Sequence, residues 1–429
     1  VFKKKSLLLS SALFLGLAGC STGEKTESGS SGGGGDQITV DIFQYKVEFK
    51  EQFEELATDY EEENPGVKIN VQTLGGGNDY MAALKAKFAS GEEPDIFNIY
   101  GAVDIEQYRD RLADLKDTKA AGQALEGTLS GVEQEGEVLG LPFNQEGYGL
   151  IYNKEIFEKA GVDPASIKSM EDLTKAVKTI DSKKEELKID AAFALPAKEK
   201  WVTGNHAASA FLASDFKNDV LTAFEAKEVP FTNGDAFKEY LDLQNKYSVQ
   251  PVVSLDYSQQ VEELFSTGRV AMIQQGNWIY PTVEQMDPEL AESGIGIMPI
   301  PLNDEMKMPV GVPNYWSVNK KADEQVQQAA ADFLDWMYIS DTGKEAVLTQ
   351  FKFIPAYEGY DTEKISDPLS KEIYKYSEEG DTTAWVFPSY PIGWGENVLG
   401  ANIQKYLVGE ATWEETIKTA QDEWAKARN

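Results

Sequence analysis

The feature that most restricts this chain is a regular alternation of strand and helix signals over residues 38–101. "ITVDIFQY" (38–45) is β-branched and alternates polar with apolar residues, as a half-buried strand does. In "FKEQFEELATDYEEENPG" (49–66), Phe49, Phe53, Leu56 and Tyr60 recur at helical spacing until Asn64-Pro65-Gly66 stops the helix. "VKINVQTL" (67–74) reads as a second strand, "NDYMAALKAKFASG" (78–91) as a second amphipathic helix, and "PDIFNIYG" (94–101) as a short apolar third strand. A β-α-β-α-β run of this kind builds an α/β unit around a mostly parallel sheet.

At 429 residues the chain exceeds what one compact core holds, so two domains are expected. The rhythm breaks at "EVLGLPFNQEGYGLIYNKEIFEKAG" (137–161), where two strand-like pieces flank Pro142 and Gly147 before a helix near Lys154. Helices are expected near 169–181, 204–214, 233–247 and 256–267, then strands at 269–273 and 295–299. "MPVGVPNYWSVNK" (308–320) is a second extended piece, and 323–340 is helical with Val326, Ala329, Phe333 and Met337 on one face. Thr412 and Glu415 are spaced as a capping box for the last helix. The two extended pieces are candidate crossings between lobes. They predict one lobe from 38–143 plus 318–358 and another from 144–317 plus 359–429.

The first twenty residues, "VFKKKSLLLSSALFLGLAGC", carry three lysines, an apolar run from Leu7 to Ala18 and a small residue before a cysteine. That is the pattern of a signal peptide (1–19), and the apolar run is short for a membrane span. "LAGC" (17–20) resembles a bacterial lipobox, in which the cysteine is lipidated. Cys20 is the chain's one cysteine, so no disulfide can form within it. Residues 20–37 then read as the lipidated cysteine and a Ser/Gly-rich tether, spanning roughly 22 Å as a random coil. A formal net charge of −32 argues against a nucleic-acid partner, because phosphate binding needs clustered Lys and Arg.

Five features in this order and spacing carry a family resemblance: the lipobox with its tether, "FEELATDYEEENPGVKINV" (53–71), "LKAKFASGEEPDIFNIYG" (84–101), "LGLPFNQEGYGLIYNKEIFEKAG" (139–161) and "LFSTGRVAMIQQGNW" (264–278). Together they resemble the extracellular solute-binding proteins of ABC importers, the carbohydrate-binding family 1. "VDPASIKSMEDL" (162–173) departs from that pattern in length and lacks its usual tryptophan. The resemblance implies a two-lobed, periplasmic-binding-protein-like α/β fold with a hinge and a ligand cleft between the lobes. It implies a sugar ligand, no cofactor, a monomer, and partners in a membrane permease and a cytoplasmic ATPase. Its place would be the extracellular face of a bacterial cell membrane, of the Gram-positive kind, touching the membrane through its lipid anchor alone.

A sugar offers hydroxyls, which need paired donors and acceptors, and C–H faces, which an aromatic ring can cover. Two or three stacked rings supply about 1–4.5 kcal/mol beyond area, against about 8 kcal/mol for micromolar binding, so polar groups must supply much of the rest. Loops after parallel strands nominate Gln44, Lys46 and Glu48, then Asn98 and Tyr100, and Asn78 and Asp79 in "GGGND". The crossings nominate Asn144, Glu146, Asn314 and Tyr315. Trp201, Trp278, Trp316, Trp385 and Trp394 lie in expected loops or strand ends, and of these Trp201, Trp278, Trp316 and Trp394 are nominated; Trp413 and Trp424 share a helical face and read as packing. "QQGNW" (274–278) puts Gln275 and Asn277 beside Trp278, as a turn that delivers amides and a ring to the cleft. For each, plain packing or a solvated loop is the competing account.

No catalytic or metal-binding residue is nominated. One histidine, His206, and a cysteine committed to lipid leave no Ser-His or Cys-His nucleophile, and Gly75–Gly77 lack the Gly-Lys-Ser/Thr of a P-loop. A glycoside-cleaving enzyme needs only two carboxylates. It stays as an alternative, as does the same fold holding a polyamine or a peptide. Among sugars, α-galactosides and malto- or isomalto-type oligosaccharides fit equally.

Overall fold

The computed structural model describes residues 37–74, 80–302 and 306–429, with Glu48 through its backbone alone. Cys20, Asn78, Asp79 and the Glu48 side chain lie outside the described residues. Gln37–Asn429 form one compact unit built on two sheets.

The alternating segment folds as its periodicity predicts. Strands β1 (Ile38–Gln44), β2 (Val67–Thr73) and β3 (Ile96–Ile99) pair in parallel, with Ile42 beside both Val71 and Ile96. Helices α1 (Lys50–Glu63) and α2 (Tyr80–Ser90) connect them. Phe53, Leu56 and Tyr60 of α1 pack beneath one face of this sheet with Phe333 and Met337 of the helix Glu324–Ile339. Each such ring or leucine, fully buried, stabilises the fold by about 1.5–3 kcal/mol. Leu84, Phe97, Ile105 and Tyr108 fill the other face.

Next in chain order come a small hairpin, β4 (Glu133–Gln134) and β5 (Glu137–Val138), and then β6 (Leu141–Pro142). The second sheet is mixed and centred on β7 (Glu146–Asn153). Its other strands are β8 (Ala191–Phe193), β9 (Val270–Gly276), β10 (Ile295–Met298) and β11 (Met308–Gly311). β9 runs antiparallel to β7, with Tyr148 opposite Gly276, and β10 and β11 also pair with β7. The first sheet is completed by β12 (Tyr315–Val318), antiparallel to both β3 and β6; β13 (Thr382–Ala384) closes the second beside β11. The capping box forms as expected: Thr412 N–H donates to Glu415, and Glu415 N–H donates to Thr412 Oγ1.

The chain crosses between the sheets at 143–145 and at 312–314, and returns to the second sheet through the helix Pro368–Glu379. Gln145 N–H donates to Ile354 O at 2.9 Å, so the first crossing is braced by the segment that leads to the last. Two boundaries differ from expectation. Tyr315, Trp316 and Ser317, assigned from sequence to the second lobe, stand in the first sheet, because 308–320 is two strands broken at Val312-Pro313-Asn314. Strand β9 does not stop at Ile273 but runs to Gly276, since the amides of Gln274 and Gln275 find partners and can be buried.

Candidate functional site

The C-terminal ends of β1 and β3 supply one wall. Gln44 is fully buried and shapes the loop after β1: its Oε1 accepts Lys46 N–H at 2.5 Å and its Nε2 donates to Thr73 Oγ1 at 2.6 Å. The loop turns Lys46 inward, where its Nζ meets Glu146 Oε1 at 2.6 Å. Lys46 is 6% and Glu146 4% exposed, so this is a buried ion pair joining the first lobe to the start of β7. Asn144 Nδ2 donates to the same carboxylate oxygen at 3.4 Å, while its own Oδ1 is buried without a partner.

Beside Lys46 stand two tyrosines, Tyr45 and Tyr100, with ring centroids 5.7 Å apart. Asn314 Nδ2 donates to the Tyr45 hydroxyl at 2.9 Å. Tyr100 is held by a tight turn: its N–H donates to Asp104 Oδ2 at 2.7 Å, and Gly101 follows at φ 144°, a conformation suited to glycine. Burial pushes the Asp104 carboxyl up to about 6 and the Tyr100 hydroxyl well above its ordinary value.

The second lobe supplies a wall of rings around His206. Tyr148 stacks on the imidazole at 4.8 Å, with Phe387 at 4.9 Å, Trp201 at 5.0 Å, Trp278 at 5.1 Å and Trp385 at 5.6 Å. Tyr148 OH donates to His206 O at 2.6 Å and locks the pair. His206 stays partly accessible. Desolvation by these rings, and then the Lys46 charge reaching it from the first lobe, push its pKa down to about 3. The imidazole is therefore neutral at physiological pH, a donor and an acceptor in one ring.

The polar run "QQGNW" is tied at every position. Gln274 accepts from Tyr240 OH at 2.9 Å and donates to Val202 O at 3.0 Å. Gln275 Nε2 donates to Gln260 Oε1 at 2.7 Å, and Gln275 Oε1 accepts Trp278 Nε1–H at 2.9 Å. Asn277 Oδ1 accepts Gly147 N–H at 3.1 Å and its Nδ2 donates to Ser370 Oγ at 2.9 Å. Gly276 is needed for closeness: a Cβ there would lie 2.1 Å from Trp278 Cζ3 and 2.4 Å from Gly147 O. Of the five residues, Trp278 alone is partly exposed.

A small pocket lies where the walls meet, lined by Phe49, Asn144, Glu146, Trp278, Lys352 and Asp367 among others. Asp367 accepts N–H groups from Leu369 and Ser370 as the cap of Pro368–Glu379, and burial pushes its carboxyl up to about 7. Lys352 pairs with Glu284 at 2.6 Å and lies over the Tyr280 ring.

Asn144, Glu146, Asn277 and Trp278 thus line that pocket, with Lys46 paired to Glu146, Tyr100 beside Lys46 and Trp201 beside His206. Gln44 and Gln275 lie nearby, and their amides, like that of Asn277, are engaged in the scaffold. Trp316 and Trp394 are elsewhere. Trp316 donates to Tyr338 OH in the first-lobe core, and Trp394 donates to Ala420 O in the second-lobe core, 4.8 Å from Trp424. Tyr315 packs on the opposite face of the first sheet. Asn98 is fully buried beside Trp316 with both amide atoms unpartnered, and Asn314 Oδ1 is likewise unpartnered. Tyr45, Tyr148, His206 and Phe387 stand here without having been nominated from sequence, and Trp385, one of the five loop tryptophans weighed there, joins them. The signal for Tyr45 was its place between Gln44 and Lys46; the others come together only through folding.

The two α/β lobes meet at these rings and polar groups. The family model "Bacterial extracellular solute-binding protein" matches residues 46–342, and the chain belongs to that family. The melibiose/raffinose/stachyose-binding protein MelE of Bacillus subtilis is 25% identical over 348 residues, covering 78% of this chain and 77% of that one. The structure of RafE in complex with raffinose superposes with a TM-score of 0.75 at 18% identity, covering 91% of this chain and all (100%) of that one. A chitin oligosaccharide binding protein superposes with a TM-score of 0.77 at 22% identity, covering 92% and 100%. At such identities the likeness is one of fold. Among the described residues no helix is long and apolar enough to cross a membrane, and no group of three His, Cys, Asp or Glu could hold a metal ion.

Proposed function

We propose that this protein captures a short, uncharged oligosaccharide between its lobes and presents it to an ABC importer, breaking no bond in the ligand. Acyl chains on Cys20 hold it at the outer face of the cell membrane in this reading, and two chains would anchor it stably where one would not. The crossings at 143–145 and 312–314 form part of the hinge on which the lobes close. The observation that carries the reading is the pairing of walls. Five aromatic rings surround His206 in one lobe, and the facing polar groups are charge-compensated as Lys46–Glu146. Rings cover C–H faces, amides and a neutral imidazole bond hydroxyls, and a compensated ion pair favours an uncharged ligand over an anion or a polyamine. The sugars in the names of MelE and RafE support this class.

Titration calorimetry with raffinose, stachyose, melibiose and chitin oligosaccharides tests it. At least one should bind at micromolar level, and Trp278→Ala should weaken that binding at least about tenfold. Binding of a peptide or a polyamine, with none of these sugars bound, overturns the proposal.

A further inference from the structure

Two buried glutamine side chains form a relay behind Trp278. Gln260 Nε2 donates to Ala194 O at 2.7 Å, Gln275 Nε2 donates to Gln260 Oε1 at 2.7 Å, and Trp278 Nε1–H donates to Gln275 Oε1 at 2.9 Å. Gln260 is 0% and Gln275 1% exposed. The direction of the relay is fixed at both ends. A backbone carbonyl can only accept, and an indole N–H can only donate. Each amide between them therefore has one allowed orientation, and a reversed amide would set like groups face to face. The relay meets a second constraint at the benzo edge of the indole, which lies over Gly276 where no Cβ could stand.

We propose that Gln275 and Gln260 are positioning residues that set the plane of the Trp278 indole toward the cleft, and so tune affinity and sugar selectivity without touching the ligand. This rests on the reading of Trp278 as a ligand-facing ring. An indole with a free N–H can turn about its side-chain bonds, and a stacking face that must first be ordered binds more weakly. Holding the N–H leaves one ring face presented, with His206 5.1 Å away at an interplanar angle of 56°.

A double-mutant cycle with an independent spectroscopic arm tests the inference. Gln275→Met should weaken raffinose binding about tenfold in the Trp278 protein, and add nothing once Trp278→Phe has removed the indole N–H. Equal losses in both backgrounds, or no loss in either, overturn it. Gln260→Met, one step further from the cleft, provides the same cycle should Gln275→Met fail to fold, which thermal melting reads. The second arm needs no sugar. In protein labelled with 15N at the tryptophan indoles, the Trp278 signal is identified by its absence in Trp278→Phe. It should shift and lose protection from hydrogen exchange in Gln275→Met. An unchanged signal overturns the relay. If the unmutated protein binds none of the sugars, the function proposed above fails while this arm still decides the relay.

Discussion

Trp278 owes its placement to its neighbours Gly276 and Gln275. Its ring lies against Gly276, where a side chain would collide with it, and its N–H is held by Gln275. Gly276→Ala should therefore both destabilise the fold, by about 1–3 kcal/mol from overpacking, and weaken sugar binding; urea melts and calorimetry on one sample separate the two effects. Lys46 acts at a similar distance. Its Nζ neutralises Glu146 inside the cleft and its charge reaches His206. Lys46→Met strands a buried carboxylate and should cost about 3–5 kcal/mol, read by urea unfolding. The same variant should raise the His206 pKa from about 3 while leaving it below the usual 6.5, because desolvation is the larger cause. As the chain has one histidine, its imidazole proton signals report this titration unambiguously.

Elements matter through what their ends hold. The helix Pro368–Glu379 begins at Asp367, whose neighbour Ser370 accepts from Asn277, which in turn accepts Gly147 N–H at the start of β7. The Asp367 carboxyl, pushed up to about 7, binds its proton more tightly folded than unfolded. Its contribution to stability is therefore full below its unfolded value near 3.8 and is lost as pH rises to about 7. Asp367→Asn keeps a good helix cap and removes the titration. Melting across pH 4 to 8 should show the unmutated protein losing stability relative to this variant, at up to about 1.4 kcal/mol per pH unit between those two values. A constant difference between the two curves would mean that Asp367 does not titrate in this range. Strand β9 teaches a related lesson. Two adjacent glutamines looked like the end of a strand, yet both are buried because Tyr240, Val202, Gln260 and Trp278 meet their amides.

At the scale of the molecule, a ligand that binds the folded form alone raises its stability by about 2.7 kcal/mol at a hundredfold excess over Kd. Saturating sugar should raise the melting temperature by a few degrees, and Trp278→Ala should melt at one temperature with or without it. The α/β class and the order of strands and helices in the first lobe are legible in the sequence alone. Those rest on local periodicity and on proline and glycine, which act within a few residues of themselves. The sequence nominated Lys46, Asn144, Glu146, Trp201 and Trp278, which the fold brings near one another, along with Trp316 and Trp394, which the fold sends to the two cores. Folding settles which neighbours each aromatic meets, even where burial is alike, as for Trp385 and Trp394, both in the second-lobe core. Trp394 and Trp385 sit nine residues apart in similar loops, yet one packs on Trp424 and the other on His206. The rings about His206 come from β7, from 201–206, from the end of β9 and from 385–387. Burial depends on what distant segments bring to the same place, and no local pattern carries that information.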